Sequence, residues 1–269
     1  MAETKSKGAL KLVILAGGQG TRIAEESDTK PKPMVEVGGK PILLHIMEHY
    51  SSFGITDFII CVGYKGYVIK EFFYNFLQHT SDFTVDLGDG TINVDKRARR
   101  DWKISIVDTG LETMTAGRLK RVSHLLGQTF LMTYGDGVSD VKIDDEVSFH
   151  FKHGKKATVL AVRPPSRFAV LDISEDAMVK KFEEKPLDEV GWINGGFFVL
   201  DKSVVDLIEG DETIWERGPL EKLANQGELA AFKHDGFWQA LDTVRDKRFL
   251  ETVWSDKRGP WAFSASIKA

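Results

Sequence analysis

A glycine-rich segment near the start of the chain has the composition of a phosphate-binding loop. The apolar run 12–16 is followed by Gly17-Gly18-Gln19-Gly20-Thr21-Arg22. Glycines let the backbone bend tightly and approach a ligand without a Cβ clash, and consecutive free N–H groups can surround an anion. The dinucleotide fingerprint fails, because Ile23 stands where its third glycine is needed, and the Walker A motif fails, because Pro41 follows Lys40. We predict a phosphate loop of another kind, with an ordinary turn as the alternative.

A lysine next to this loop is a candidate partner for phosphate charge. Lys32 stands between Pro31 and Pro33. Prolines stiffen the backbone and disfavour a helix at this point. A stiffly held ammonium group beside a glycine-rich turn suits a phosphate, whereas a solvated surface lysine is the alternative.

Two carboxylates are candidates for holding Mg²⁺. Asp136 lies between glycines directly after the apolar run 130–134, and Asp242 precedes Thr243 and a helical stretch. Mg²⁺ is typically held by one or two carboxylates together with substrate phosphates. An Asp in front of a helix is equally able to cap it, so Asp242 remains open between the two roles.

Further polar groups suit a sugar phosphate. Glu184 and Lys185 stand in a charged run, and Asn194 and Gly195 stand in the segment Asn194-Gly195-Gly196-Phe197. Carboxylates and amides bind hydroxyl groups, and lysine pairs with phosphate. A solvated charge run and a plain turn are the alternatives. Of the seven histidines none shows metal-binding spacing, and His150 and His153 are predicted to be surface residues.

The elements that must position these groups alternate along the chain. Residues rich in apolar and β-branched side chains predict strands at 12–16, 58–62, 104–107, 130–134, 157–162 and 193–200. Helices are predicted at 42–53, 67–77, 116–125, 144–153, 203–208 and 220–226. This order predicts an α/β fold with a mostly parallel sheet, whose ligands lie beyond the carboxyl ends of the strands. The aromatic residues at 72–74 and 76 indicate a packed helix face or an oligomer contact.

Composition excludes several classes of protein. The chain has 269 residues with 36 basic and 40 acidic side chains, a formal charge of −4 that argues against a general nucleic-acid binder. No apolar run is long enough to cross a membrane, and residues 1–8 lack the apolar centre of a signal peptide. The lone Cys61 lies in an apolar run and is compatible with a reducing cytoplasm. We expect a flexible extension over 1–9 and a single domain over 10–269.

The motifs together resemble the sugar-phosphate nucleotidyltransferases. The resemblance rests on the segment 15–22 with Lys32 ten residues later, and covers about residues 10 to 255. Segments 30–36, 58–70, 107–110, 133–137 and 193–200 are similar to the cytidylyl branch. The chain differs from the usual family pattern at Ala116 and at Ala240-Leu241, although Arg118 and Asp242 are retained.

The resemblance implies a three-layer Rossmann-like nucleotidyltransferase fold with a central, mostly parallel mixed sheet. Its nucleotide-binding part would span about 10–140 and its sugar-binding part about 141–245, before a C-terminal helical segment. It implies Mg²⁺ as cofactor, CTP and glucose 1-phosphate as substrates, a cytoplasmic location, and a homo-oligomer, a hexamer in this branch. Neither nucleic acid nor membrane is an expected partner.

The resemblance also assigns roles to residues of this chain. Arg22, Lys32 and Asp136 would be catalytic, and Asp136 and Asp242 would hold the metal. The hexose and its phosphate would contact Glu184, Lys185, Asn194 and Gly195. The nucleotide would contact Leu15, Ala16, Gly17, Gly18, Gly20, Thr21, Arg22, Lys32, Thr113, Arg118 and Gly135.

Other readings of the same sequence remain open at this point. A nucleotidyltransferase using another nucleoside triphosphate or another sugar 1-phosphate would carry the same motifs. An NAD-dependent oxidoreductase is disfavoured by Ile23. A sensor that binds nucleotide sugars without catalysis is the third possibility.

Overall fold

A computed structural model describes residues 10–20, 30–94, 100–163, 170–173, 178–183, 191–257 and 259–263 of the chain. The strands are β1 (Lys11–Ala16), β2 (Glu36–Val37), β3 (Lys40–Pro41), β4 (Asp57–Val62), β5 (Phe83–Asp86), β6 (Thr91–Val94), β7 (Lys103–Asp108), β8 (Thr129–Tyr134), β9 (Gly137–Ser139), β10 (Ala157–Val162), β11 (Val170–Ile173), β12 (Val179–Glu183), β13 (Ile193–Asp201), β14 (Leu229–His234) and β15 (Trp238–Ala240). The helices are α1 (Ile42–Ser52), α2 (Gly66–Tyr74), α3 (Phe76–Thr80), α4 (Thr115–Arg121), α5 (Ile143–His153), α6 (Pro219–Asn225) and α7 (Val244–Lys257). Short 3-10 turns cover Lys32–Met34, Ser123–Leu125 and Lys202–Leu207.

Seven strands form the central sheet in the order β14-β10-β13-β8-β1-β4-β7. β1 pairs in parallel with β4 and β8, β4 with β7, and β10 with β14. β13 alone in this sheet runs antiparallel to both its neighbours, β8 and β10. The mixed, mostly parallel sheet is therefore confirmed.

Helices cover both faces of the sheet, which confirms the three-layer arrangement. Alternate side chains of β1 enter two different cores, with Leu12 and Ile14 on one face and Val13 and Leu15 on the other. The first core includes α1, α5 and α7, and the second includes α4 and α6. Burial on both faces explains why β1 and β4 are continuous apolar runs rather than alternating ones.

The helices carry recognisable end signals. Helix α5 has Asp144 and Asp145 in its first turn, where their negative charges interact favourably with the positive end of the helix dipole. It stops at Gly154, whose φ of 65° is left-handed and suits glycine. Among the described residues no helix has the length and apolar character needed to span a membrane.

Most predicted elements lie within a residue or two of their predicted positions, but several differences are instructive. Strand β14 was not predicted, because its residues include no β-branched side chain and it is only partly buried at the sheet edge. The predicted helix 67–77 is two helices, α2 and α3, which meet at Asn75. The prediction that His150 is a surface residue is wrong, because it is only 5% exposed and its Nδ1 lies 2.9 Å from the Thr158 hydroxyl.

Candidate active site

The glycine-rich loop and Asp136 lie at the same edge of the sheet. Strands β1 and β8 are parallel neighbours, so their carboxyl ends coincide. The first residue after β8, Gly135, donates its backbone N–H to the carbonyl of Leu15 at 3.0 Å. A Cβ on Gly135 would stand 2.9 Å from Cγ of Pro33, so this residue must be small. The close packing brings the proline-flanked Lys32 segment onto the strand end.

Lys32 reaches two carboxylates from a short, anchored turn. The prolines do not prevent a single 3-10 turn, in which Met34 N–H donates to the Pro31 carbonyl at 2.8 Å. Met34 and Val35 are buried and hold this turn against the first core. The Nζ atom of Lys32 lies 2.5 Å from Asp136 Oδ2 and 2.6 Å from Asp242 Oδ1. Two carboxylates that follow Lys32 by 104 and 210 positions along the chain thus bind the same ammonium group.

Asp242 is placed beside Asp136 by a short antiparallel ladder. β9 pairs with β15 through Gly137 and Ala240, and Leu241 N–H donates to the Asp136 carbonyl at 2.8 Å. Helix α7, which follows, is capped by Thr243 and Asp246. The Asp246 N–H donates to Thr243 Oγ1 at 3.2 Å, and the Thr243 N–H donates to Asp246 Oδ2 at 2.8 Å. This reciprocal pair is a capping box. Thr243 and Asp246 thus supply the helix cap, and Oδ1 of Asp242 binds Lys32.

The two carboxylates stabilise the charged form of Lys32. Burial lowers the pKa of Lys32, but the charges and hydrogen bonds of Asp136 and Asp242 outweigh it, so the pKa is raised above its usual value. Lys32 therefore carries its positive charge at neutral pH. Its side chain is 13% exposed and those of the two carboxylates 29% and 30%, so the cluster is accessible from the cavity.

Arg118 fixes the loops on the other side of the site. Its guanidinium is buried and donates to the carbonyls of Val62, Gly17, Gly110 and Leu111 and to the Thr109 hydroxyl, at 2.7–3.2 Å. A Cβ on Gly17 would stand only 2.2 Å from its Nη1. Arg118 lines the cavity, and its two terminal nitrogens already bind the ends of three parallel strands.

Residues 194–196, at the beginning of β13, form another wall of the cavity. Asn194 Oδ1 accepts from Gly196 N–H at 2.8 Å, and the Gly195 carbonyl accepts from Trp238 Nε1 at 2.7 Å. Gly196 has a φ of 79°, and a Cβ there would lie 2.5 Å from the Tyr134 ring. The wall is thus tied both to β8 and to β15.

These groups enclose a cavity of about 590 Å³. Among the predicted site residues it is lined by Leu15, Ala16, Gly17, Gly18, Gly20, Lys32, Thr113, Arg118, Gly135, Asp136, Asn194, Gly195 and Asp242. Thr21, Arg22, Glu184 and Lys185 lie outside the described residues, as does the extension 1–9.

The cavity also has lining residues that the sequence analysis missed. They include Met114, Thr115, Tyr134, Gly196, Glu216 and Trp238. Tyr134 could have been found from its place at a predicted strand end. Glu216 stands in no recognisable motif, so the sequence offered no signal for it.

The chain is similar to known proteins over most of its length. A family model described as nucleotidyl transferase matches residues 11–256. The chain is 55% identical over 254 residues to a glucose-1-phosphate cytidylyltransferase of Salmonella typhi, covering 94% of this chain and 98% of that one. It is 41% identical to a probable glucose-1-phosphate cytidylyltransferase of Bacillus subtilis, covering 94% and 99%. A mannose-1-phosphate guanyltransferase of Kluyveromyces lactis is 31% identical and matches over 63% of its own length.

Solved structures share the fold at low sequence identity. A putative glucose-1-phosphate thymidylyltransferase from Bacillus anthracis superimposes with a TM-score of 0.66 at 20% identity, covering 92% of this chain and 96% of that one. The family match, the extended identity to curated relatives and the shared fold lead to one conclusion. The chain belongs to the nucleotidyl transferase family.

Proposed function

We propose that this protein transfers a cytidylyl group from CTP to α-D-glucose 1-phosphate, giving CDP-glucose and pyrophosphate. The observation that carries the proposal is the Lys32 ammonium held between Asp136 and Asp242, in a cavity with a glycine-rich loop on one wall and Asn194-Gly195 on the other. The 55% identity to a glucose-1-phosphate cytidylyltransferase over nearly the whole chain supports the choice of substrates.

The chemistry requires charge neutralisation more than proton transfer. An oxygen of the sugar phosphate attacks the α-phosphorus of CTP in line, the new P–O bond forms, and the bond to pyrophosphate breaks. The attacking phosphate oxygen is already ionised at neutral pH, so no general base is needed. Positioning and electrostatic stabilisation must therefore supply the rate. Lys32, whose raised pKa keeps it protonated, would neutralise charge at the α-phosphate.

Asp136 and Asp242 fit the role of Mg²⁺ ligands. They are the right ligand type, their carboxylates already converge on one positive group, and Mg²⁺ needs only one or two carboxylates beside phosphate oxygens and water. The ion supplies further neutralisation of phosphate charge when bound. On substrate entry Lys32 would exchange one carboxylate for a phosphate oxygen.

We assign one wall of the cavity to the nucleotide and another to the hexose. The loop Gly17-Gly18, together with Thr113, faces the nucleotide, with Leu15, Ala16 and Gly20 shaping the same wall and Arg118 holding the Gly17 carbonyl in place. Asn194 and Gly195 face the hexose. We propose further that Thr21 and Arg22 bind the nucleotide, with Arg22 on its pyrophosphate portion, and that Lys185 binds the phosphate of the sugar while Glu184 binds its hydroxyl groups.

We also infer that the enzyme is a cytoplasmic homo-oligomer, a hexamer by its resemblance to the cytidylyl branch. Large apolar side chains are exposed along α2 and the β5–β6 hairpin, including Tyr74 at 86% and Leu87 at 91%. Exposed apolar groups in one region favour a protein contact. Light scattering of the purified protein tests the mass, and Leu87→Lys is expected to lower it; a monomeric mass for the unaltered chain would contradict the inference.

One assay tests the reaction itself. The protein is incubated with CTP, glucose 1-phosphate and Mg²⁺, pyrophosphate release is followed, and the product is identified by mass. Asp136→Asn should lower kcat by about 100-fold or more, since a carboxylate that would hold Mg²⁺ beside the substrate phosphates is lost. Asp235→Asn, at an exposed aspartate, is the matched control and should behave like the unaltered enzyme. Normal Mg²⁺-dependent turnover of the Asp136→Asn enzyme would refute the site, and nucleotide-sugar binding without any pyrophosphate release would indicate a sensor.

A further inference from the structure

Glu216 is a carboxylate in the cavity wall whose position is tightly fixed. The preceding residue, Trp215, is completely buried in the second core. Its backbone N–H donates to Thr115 Oγ1 at 2.8 Å, and Ala116 N–H donates to the Thr213 carbonyl at 3.1 Å. The segment that carries Glu216 is thus anchored to the first turn of α4, and its side chain lines the cavity.

Two hydroxyl groups orient the carboxylate. Tyr134 donates its hydroxyl to Glu216 Oε1, and Thr115 donates its hydroxyl to Glu216 Oε2 at 3.1 Å. Burial, followed by the charge of Glu216, raises the pKa of Tyr134, so the phenol keeps its proton and remains a donor. A carboxylate accepts about four hydrogen bonds, and these two leave acceptor positions for a ligand. No Lys or Arg among the described residues forms an ion pair with it.

The charge of Glu216 restricts what it can bind. Both substrates carry phosphates, which a carboxylate repels, and the positive charge of Lys32 is already shared by Asp136 and Asp242. Glu216 therefore suits an uncharged part of a substrate that donates hydrogen bonds. Three parts meet this description: the hydroxyl groups of the hexose, the hydroxyl groups of the ribose, and the amino group of the base.

The fold favours the hexose. Tyr134, which binds Glu216, packs its ring against Gly196, the neighbour of Asn194 and Gly195 on β13. Strand β13 lies on one side of β8, whereas the glycine-rich loop follows β1 on the other side. Through Tyr134, Glu216 is thus tied to the wall assigned to the sugar, and through Thr115 it is anchored at the start of α4, two residues after Thr113.

We propose that Glu216 accepts a hydrogen bond from a hydroxyl group of the hexose ring and so helps to select the sugar 1-phosphate. The inference rests on the proposed function, because that function supplies the assignment of the two walls. A sugar hydroxyl that donates a hydrogen bond to this carboxylate gives Glu216 a partner inside the cavity. A sugar that lacks the hydroxyl leaves the carboxylate without its partner, which weakens binding.

Steady-state kinetics of Glu216→Gln test the proposal against the unaltered enzyme and the control Glu212→Gln, which changes an exposed glutamate four residues earlier. The KM for glucose 1-phosphate should rise about tenfold or more, while the KM for CTP changes by less than about threefold. The control should match the unaltered enzyme in both constants.

Deoxy analogues of glucose 1-phosphate distinguish sugar recognition from a structural role. If Glu216 only supported the fold, its replacement would leave the discrimination between these analogues unchanged. The unaltered enzyme should discriminate strongly against one deoxy isomer among those at positions 2, 3, 4 and 6, and Glu216→Gln should lose most of that discrimination. Discrimination preserved against every isomer, or a rise in the KM for CTP alone, would overturn the assignment to the hexose. Lack of turnover by the unaltered enzyme would instead refute the proposed function, and this inference with it.

Discussion

Replacement of Glu146 by Gln should make the protein more stable, and increasingly so as the pH rises. Glu146 on α5 is only 1% exposed, and neither carboxylate oxygen has a hydrogen-bond partner among the described residues. Its buried neighbours include Tyr50 of α1. Burial raises the pKa of Glu146 from 4.5 to about 8. The folded protein therefore keeps this carboxyl group neutral at pH 7.

The sign and size of the effect follow from proton linkage. Below pH 4.5 both the folded and the unfolded chain bind the proton, and the raised pKa has no effect on stability. Between pH 4.5 and about 8 the unfolded chain releases the proton and the folded chain retains it, so stability falls by about 1.4 kcal/mol per pH unit. The loss reaches about 3 kcal/mol at pH 7 and about 5 kcal/mol above pH 8. Gln, which does not titrate, avoids it.

Urea unfolding at pH 5 and pH 8 measures the effect. The difference in unfolding free energy between Glu146→Gln and the unaltered protein should be small at pH 5 and about 3–5 kcal/mol in favour of the variant at pH 8. The difference removes most contributions from other titrating groups, since they are present in both proteins. Asp145→Asn, at the exposed neighbour on the same helix, should show no such dependence. A difference that is the same at both pH values would refute the reasoning.

Three further predictions concern the site. Lys32→Met should reduce kcat by about 100- to 1000-fold with no loss of secondary structure by circular dichroism, because the ammonium acts on developing charge; a decrease below tenfold would contradict its role. Gly135→Ala would place a Cβ 2.9 Å from Pro33 and displace the Lys32 turn, so activity should fall about 10- to 100-fold while the melting temperature changes little. Arg118→Lys cannot reach all five acceptors and should cost about 2 kcal/mol or more of stability in urea unfolding; a variant of unchanged stability would show that the brace is dispensable.

The sheet was predictable because its strands are buried on both faces. Long apolar runs such as those of β1, β4 and β8 leave little choice of conformation. Strand β14 carries alanines, a lysine and a histidine instead, and its conformation depends on pairing with β10 at the edge. That pairing joins segments far apart along the chain, so the composition of residues 229–234 alone does not predict it.

The site was predictable only in part. Lys32 and Asp136 could be chosen from the residues around them, but their meeting depends on β1 and β8 being neighbours. The capping box of Thr243 and Asp246 follows Asp242 directly, and its spacing is visible in the sequence. Glu216 has no such local signal, since its relation to Tyr134 and Thr115 arises from residues 82 and 101 positions away.

Competition between nucleotides tests the central claim most directly. Equal concentrations of CTP, UTP, dTTP, GTP and ATP are offered together with glucose 1-phosphate and Mg²⁺, and the nucleotide-glucose products are separated by mass. The product ratios give the ratios of kcat/KM, so differences in protein activity between preparations do not enter. We expect CDP-glucose to be the dominant product. Dominance of any other nucleotide-glucose would contradict the cytidylyl assignment, although it would leave the fold and the Lys32–Asp136–Asp242 centre in place.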